Sequence, residues 1–302
     1  MAKIPHVAVI ILSWNGKKDV LETIQSLKKS NQTGFKMEIF LIDNGSADGT
    51  PEAAEKLNIK VRKLTKNFGF AKGNNIGMRE AVKDGFDYIA LLNGDTLVDK
   101  DLVRNIFLAH QKITNAGAIS PKIYFAKGFE YHNKYKPSEL GRVIWYAGGV
   151  IDWKNVYGSN RGVDKVDYGQ FDKTSETDFA TGCFVMYKKE ALKEVGLFNE
   201  KYFAYLEDVD LSQRMEKAGW KVLYSPKGFM WHKVSRSSGI GSQHNDYYLT
   251  RNRMLFGLTY AQLRTKFALI RESIKLLLIG RKWQRFGIMD YYLGRFGKGS
   301  WL

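Results

Sequence analysis

Short strand-like runs alternating with helical patterns constrain this chain most. Val7 to Leu12 is a continuous apolar, β-branched run that closes on Ser13-Trp14-Asn15-Gly16. Such runs suit buried parallel strands. A helical pattern through Val20, Ile24 and Leu27 follows, then a second strand over Glu38 to Ile42 that ends on Asp43-Asn44-Gly45-Ser46. Thr50 and Pro51 read as the cap and first residue of another helix. Ile59 to Leu64 is a third strand, Ala71 to Val82 a helix, and Tyr88 to Leu92 a fourth strand ending on Asn93-Gly94-Asp95. Strands and helices in alternation predict a mostly parallel sheet with helices on its faces. Ligands of such sheets bind beyond the carboxyl ends of the strands, where the polar clusters after strands one, two and four fall.

The rest of the chain is less regular. Residues 124–180 are rich in Gly, Tyr, Trp and charge and read as short strands and loops on the acceptor side of a site. Gly182 to Tyr187 reads as a strand, Glu207 to Ala218 as a helix, and Lys221 to Tyr224 and Phe229 to Trp231 as short strands. In the C-terminal region Leu263, Phe267, Ile270, Ile274 and Leu277 recur at helical spacing. Arg264, Arg271, Lys275 and Lys282 form a second stripe about 100° away on what reads as the same helix. That pattern fits either an anionic membrane interface or a helix packed on the domain with its basic face in water.

Charge and cysteine usage narrow the classes. The formal charge is +16, and residues 245–302 carry 11 Lys/Arg against 3 Asp/Glu. A basic tail suits nucleic acid, anionic lipid or an acidic substrate. No helix-turn-helix, zinc finger or aromatic RNA-binding motif accompanies it, so nucleic acid is not expected as a partner. The single cysteine, Cys183, excludes an internal disulfide and a cysteine-rich zinc site. The first six residues lack the progression of a secretory signal. No run approaches the ~20 apolar residues of a membrane span.

Each candidate chemical residue has a structural alternative. Asp43 fits a turn carboxylate that caps its own backbone, or an acceptor for base or ribose donors. Asp95 fits a helix cap, or an oxygen ligand for Mg²⁺ or Mn²⁺ with phosphate supplying others; Asn93 beside it fits ribose or metal-bound water. Gly94 would let backbone approach a ligand. Glu207, Asp208 and Asp210 are favoured by a helix dipole, yet also offer a general base next to a sugar pocket. His232 is a structural histidine or a metal ligand at a strand end.

Taken in order, Val7 to Asn15, Leu41 to Thr50, Asn67 to Asn75, Leu91 to Asp95 and Phe203 to Leu211 resemble glycosyltransferase family 2, over roughly residues 6–235. The detail is most similar to the rhamnosyltransferase-like branch. The resemblance implies an α/β GT-A fold over residues 1–244, with a nucleotide half at 1–123 and an acceptor half at 124–244. A basic helical extension follows at 245–302. It implies an inverting enzyme that takes a dTDP- or UDP-sugar to a glycan or lipid-linked glycan, and the basic C-terminal helices add the expectation of a cytoplasmic protein peripheral on the membrane. By the same resemblance Ser13, Asn15, Asp43, Asn67, Gly73, Asn93 and Asp95 would line the nucleotide pocket. Asp95 and His232 would hold Mn²⁺ or Mg²⁺, Asp208 would be the base, and Glu207 would orient substrate. Asn93 departs from the family's frequent pair of acids and leaves one charge fewer for the metal. A polyprenyl-phosphate transferase and a non-catalytic sugar-nucleotide or nucleic-acid binder are the competing readings.

Overall fold

The structure is a computed structural model that describes residues 4–234 and 242–301. Residues 1–3 of the N-terminal segment, residues 235–241 before the expected 244/245 boundary, and residue 302 lie outside the described residues.

The first half is built as the alternation predicts. In order come β1 (His6–Ser13), α1 (Lys17–Lys28), β2 (Lys36–Asp43), α2 (Thr50–Glu55), β3 (Lys60–Lys63), α3 (Gly69–Lys83) and β4 (Tyr88–Asn93). β1 lies between β2 and β4 and runs parallel to both, and β2 is parallel to β3. Val7 to Ile11 are fully buried, as a strand covered on both faces requires. Thr50 is the first helical residue rather than the cap: Gly49 precedes it with φ 75°, and Asp48 accepts from the Thr50 N–H and hydroxyl.

The chain continues with β5 (Thr96–Val98), α4 (Leu102–Lys112), β6 (Ala116–Phe125), β7 (Ile144–Tyr146), β8 (Gly149–Asp152), β9 (Tyr157–Asn160), β10 (Ser175–Glu176), β11 (Phe184–Lys188), α5 (Lys189–Val195), α6 (Glu207–Lys217) and β12 (Lys221–His232). The sheet order is β10-β12-β6-β11-β4-β1-β2-β3, with β5 on β12 and β7 on β6. β11 is antiparallel to β4 and β6, so the sheet is mixed, though mostly parallel. The two short strands expected at residues 221–224 and 229–231 are one strand, β12. Its register shifts between Ser225 and Phe229, where Pro226 and Gly228 interrupt regular pairing.

Three helices close the described chain: α7 (Gln243–Tyr260), α8 (Leu263–Ile279) and α9 (Lys282–Tyr292). The expected boundary at 244/245 falls inside the first turn of α7. Lys282 is on α9, not on the helix that carries Arg271 and Lys275, because the chain turns at Gly280 and Arg281. No helix among the described residues is long and apolar enough to cross a membrane.

A candidate active site at the carboxyl ends of β1, β2 and β4

The strand order reverses around β1, since β2 lies on one side and β4 on the other. A crevice opens at such a switch point. Register carries three polar residues to its rim: Ser13 pairs with Asp43, and Leu12 with Asn93. Ser13 and Asp43 are buried, and Ser13 Oγ and Asp43 Oδ1 have no hydrogen-bond partner. Asp43 Oδ2 accepts from the Ser46 N–H at 2.9 Å. One carboxylate oxygen thus caps the turn while the other is left without a partner. A buried polar atom left unpaired costs ~1–3 kcal/mol, which a ligand donor would recover.

Asparagines fix the loops around this rim. Asn15 takes φ 51°, accepts from the Ala47 N–H at 2.8 Å, and its own N–H donates to Ser46 Oγ at 2.9 Å. Asn67 Oδ1 accepts from the Gly69 N–H at 2.8 Å and from Asn44 Nδ2 at 2.9 Å. Asn44 also donates to the Gly69 carbonyl and accepts from the Phe68 N–H. Asn44 is therefore the clasp between the β2 and α3 loops, a role the turn sequence concealed. Gly73, expected to line the nucleotide pocket, is the fifth residue of α3. It is buried in α3, and a Cβ there would meet Leu12 Cδ1 at 2.5 Å, so its small size serves helix-on-strand packing. Gly94 likewise faces inward, where a Cβ would meet Val20 at 2.7 Å.

The second corner forms across a large sequence gap. β5 pairs antiparallel with the end of β12, setting His232 opposite Thr96 and thus beside Asp95. His232 Nε2 lies 3.1 Å from Asp95 Oδ1, and the Lys233 N–H donates to the Asp95 carbonyl at 2.8 Å. Burial would lower the His232 pKa, but Cys183 and Asp95 beside it push it up to about 10. His232 Nδ1 is buried without a partner, and the Trp145 ring meets the imidazole edge-on at 4.8 Å. No group of three or more His, Cys, Asp or Glu side chains arranged to hold a metal occurs among the described residues. An Asp–His pair with an open side fits a hard divalent ion that takes its other ligands from a diphosphate and water.

The third corner is the start of α6. Tyr205 and Leu206 both adopt positive φ, 72° and 70°, immediately before Glu207. Two consecutive side-chain-bearing residues in this region store strain, which is found where geometry serves function. Asp208 Oδ2 accepts from the Gly182 N–H and Oδ1 from the Val209 N–H, both at 2.8 Å. Asp208 is surrounded by protein yet keeps part of its surface open, and burial raises its pKa. Glu207 is buried, with Oε2 unpartnered, and burial next to Asp208 holds its carboxyl well above the usual range. Asp210, the third acid of the cluster, is structural: it accepts from Arg214 at 2.9 Å and from Tyr260 at 2.8 Å.

One peptide segment joins these corners. The Gly182 N–H holds Asp208, while the Cys183 carbonyl accepts from the Asn93 N–H at 2.9 Å. The strained turn is held from α7, which the aliphatic periodicity did not reveal. Asn252, fully buried, donates to the carbonyls of Ala204 at 2.8 Å and Tyr205 at 2.9 Å. Arg251 beside it is also fully buried, against the faces of Tyr247 and Tyr248, and donates to the Lys201 carbonyl at 3.3 Å.

Comparison with known proteins identifies the family and the fold. Residues 8–196 match the glycosyl transferase family 2 profile. The chain is 26% identical over 230 residues to N-acetylglucosaminyl-diphospho-decaprenol L-rhamnosyltransferase of Mycobacterium tuberculosis (strain H37Rv), covering 70% of this chain and 74% of that one. Among solved structures it is similar to GalNAc-T7 with UDP, GalNAc and Mn²⁺, with TM-score 0.61, 16% identity and coverage of 88% of this chain and 54% of that one. It is also similar to a mannosyltransferase from Pyrobaculum calidifontis in complex with GDP-Man and Mn²⁺, with TM-score 0.55, 15% identity and coverage of 99% and 88%. These likenesses show the GT-A fold. By its sequence match and its architecture, the chain belongs to glycosyl transferase family 2 and is a glycosyltransferase.

Proposed function

We propose that the chain is an inverting glycosyltransferase that moves a sugar from dTDP-rhamnose or a UDP-hexose to a glycan or lipid-linked glycan in surface polysaccharide synthesis. The observation that carries this reading is the Gly182–Cys183 segment, which touches Asp208 on one side and the Asn93 loop on the other. A base is thereby set next to the loop that would meet the donor diphosphate. The rhamnosyltransferase relative supports the choice of sugar and of a lipid-linked acceptor.

Ser13 and Asp43 bind the base or ribose through their unpartnered atoms, and Asn93 reaches the donor from β4. Asn15 and Asn67 support the pocket by fixing its loops. Asp95 and His232 would hold Mn²⁺ or Mg²⁺, which would offset negative charge on the diphosphate. Asp208 takes the proton of an acceptor hydroxyl as that oxygen attacks the anomeric carbon. The bond from that carbon to the diphosphate breaks, and its electron pair leaves with the diphosphate. Attack opposite the leaving group inverts the centre. A raised pKa makes Asp208 a stronger base at neutral pH. Glu207 orients sugar or acceptor beside it. The enzyme works at the cytoplasmic face of a membrane and meets it through the C-terminal helices, as their positive charge supports.

Asp208→Asn tests the assignment. It should abolish transfer while leaving intact the thermal stabilisation by UDP or dTDP with Mn²⁺. Near wild-type turnover would remove Asp208 from the mechanism. A screen of donor hydrolysis across sugar nucleotides identifies the sugar.

A further inference from the structure

The outer side of α8 presents an apolar stripe that no part of the described protein covers. Leu263, Phe267, Ile270, Ile274 and Leu278 fall within one arc of about 80° around the helix. Leu263 is 73% exposed, Phe267 70%, Ile274 54% and Leu278 72%. The face that packs on the protein is a different one, centred on Leu269 and Ser273 and roughly 120° away. So four of the five residues of the stripe visible in the sequence lie off the packing face, while the fifth, Leu277, packs against the core and Leu278 takes its place on the exposed arc. On its far side lie Arg264, Arg271 and Lys275. α9 is joined to α8 by the Ser273–Tyr292 hydroxyl contact at 2.7 Å and carries exposed Phe286 and Met289, with exposed Leu293 at its C-cap.

The charge pattern says what covers such a surface. Residues 263–302 contain nine Lys/Arg and two Asp/Glu. Both acids are occupied: Glu272 holds Arg253 through two hydrogen bonds at 2.8 and 2.9 Å, and Asp290 is buried against Tyr247 and Ser300. Arg264, Lys266, Arg271, Lys275, Lys282 and Arg285 make no ion pair with an acid among the described residues. Beside the basic stripe a cavity of about 540 Å³ opens between α8, α7 and the turn at residues 154–155, with Lys154, Arg271 and Lys275 at its wall. None of the candidate active-site residues lines it. A second copy of this chain would bring like charges together, and a neutral partner would leave six cations unmatched.

We infer that the exposed face of α8, with its row of unpaired cations, is a docking surface for an anionic lipid bilayer. The apolar side chains enter the acyl boundary while Arg264, Arg271 and Lys275 lie at the headgroup phosphates. This names the surface for the membrane contact proposed above, and rests on that reading, but it does not depend on the donor or the acceptor.

The test is flotation of the full chain with vesicles of phosphatidylcholine alone or mixed with phosphatidylglycerol. The wild type should bind the anionic vesicles at least about tenfold more tightly than the neutral ones. The pair Phe267→Glu and Ile274→Glu should weaken that binding by about tenfold or more. The pair Arg271→Glu and Lys275→Glu should remove the preference for phosphatidylglycerol. Nucleotide-induced thermal shifts should match the wild type in all variants, which certifies the fold. If the wild type floats and the Phe267/Ile274 variant floats equally, the face is wrong while membrane contact stands. If the wild type does not float, both fail. If the wild type instead dimerises without lipid and that variant is monomeric, the surface belongs to a second copy.

Discussion

The side-chain amide of Asn252 lies 2.9 Å from the carbonyl oxygen of Tyr205, and the same nitrogen reaches Ala204 at 2.8 Å. A helix more than 40 residues downstream thereby holds the strained turn that aims Asp208. Asn252→Ala leaves two part-buried carbonyls short of a donor and should cost about 1–3 kcal/mol in a denaturant melt. Turnover should fall about tenfold or more, by analogy with small misplacements of reacting groups. The donor KM should stay near the wild-type value, because Ser13 and Asp43 are untouched. An equal rise in KM would place Asn252 in the donor site instead.

Asp43 carries an unpartnered buried oxygen at the crevice. Asp43→Ala should weaken nucleotide binding about tenfold to a hundredfold, the worth of one or two charge-assisted hydrogen bonds. Calorimetry with UDP and dTDP reads this directly, and unchanged affinity would reduce Asp43 to a turn cap.

The Asp95–His232 pair predicts a metal requirement carried by two residues. Asp95→Ala and His232→Ala should each raise the Mn²⁺ concentration for half-maximal activity at least about tenfold. The double variant should be little worse than either single one, since both act on one ion. Metal titration of donor hydrolysis measures all three.

Glu207 predicts a pH-dependent stability. Its folded pKa is raised by burial and by Asp208, from an ordinary value of 4.5. Above that value the unfolded chain releases the proton while the folded chain keeps it. Stability contributed by the protonated form is therefore full below pH ~4.5 and is lost as pH rises toward the folded pKa. Glu207→Gln removes this loss. Its melting temperature relative to wild type should climb between pH 5 and pH 8, and a constant difference would mean that Glu207 is ionised in the folded protein.

Gly73→Ala separates packing from binding. The new methyl would meet Leu12, so about 1–3 kcal/mol of stability should be lost while nucleotide affinity in the folded protein is kept. Loss of affinity at unchanged stability would return Gly73 to the pocket.

Much of the site was legible because its residues end regular elements. Asp43 and Asn93 close strands whose apolar runs are unmistakable, and Asp208 opens a helix with acids in its first turn. What escaped lacked an aliphatic period. β6 contains Gly117, Pro121 and Lys122, which interrupt its apolar run, and Lys122 is nevertheless buried by its pairing with Asp167 at 2.7 Å. α7 buries tyrosines, an arginine and asparagines rather than leucines, so its pattern resembles a surface segment. Asn44 reads as one more turn residue, because its three hydrogen-bond partners lie more than 20 positions away.

The pairing of β5 with β12 also bears on how the protein is made. Asp95, in the turn between β4 and β5, is made early in synthesis, but the strand that pairs with β5 contains residue 232, and the two must close a very long loop to meet. Loops of that span form late and slowly in folding. A nascent chain that ends after β4 contains Ser13 and Asp43 but lacks the imidazole that lies beside Asp95 in the complete protein. The Asp95–His232 corner is therefore the last of the proposed donor contacts to be completed as the chain is made.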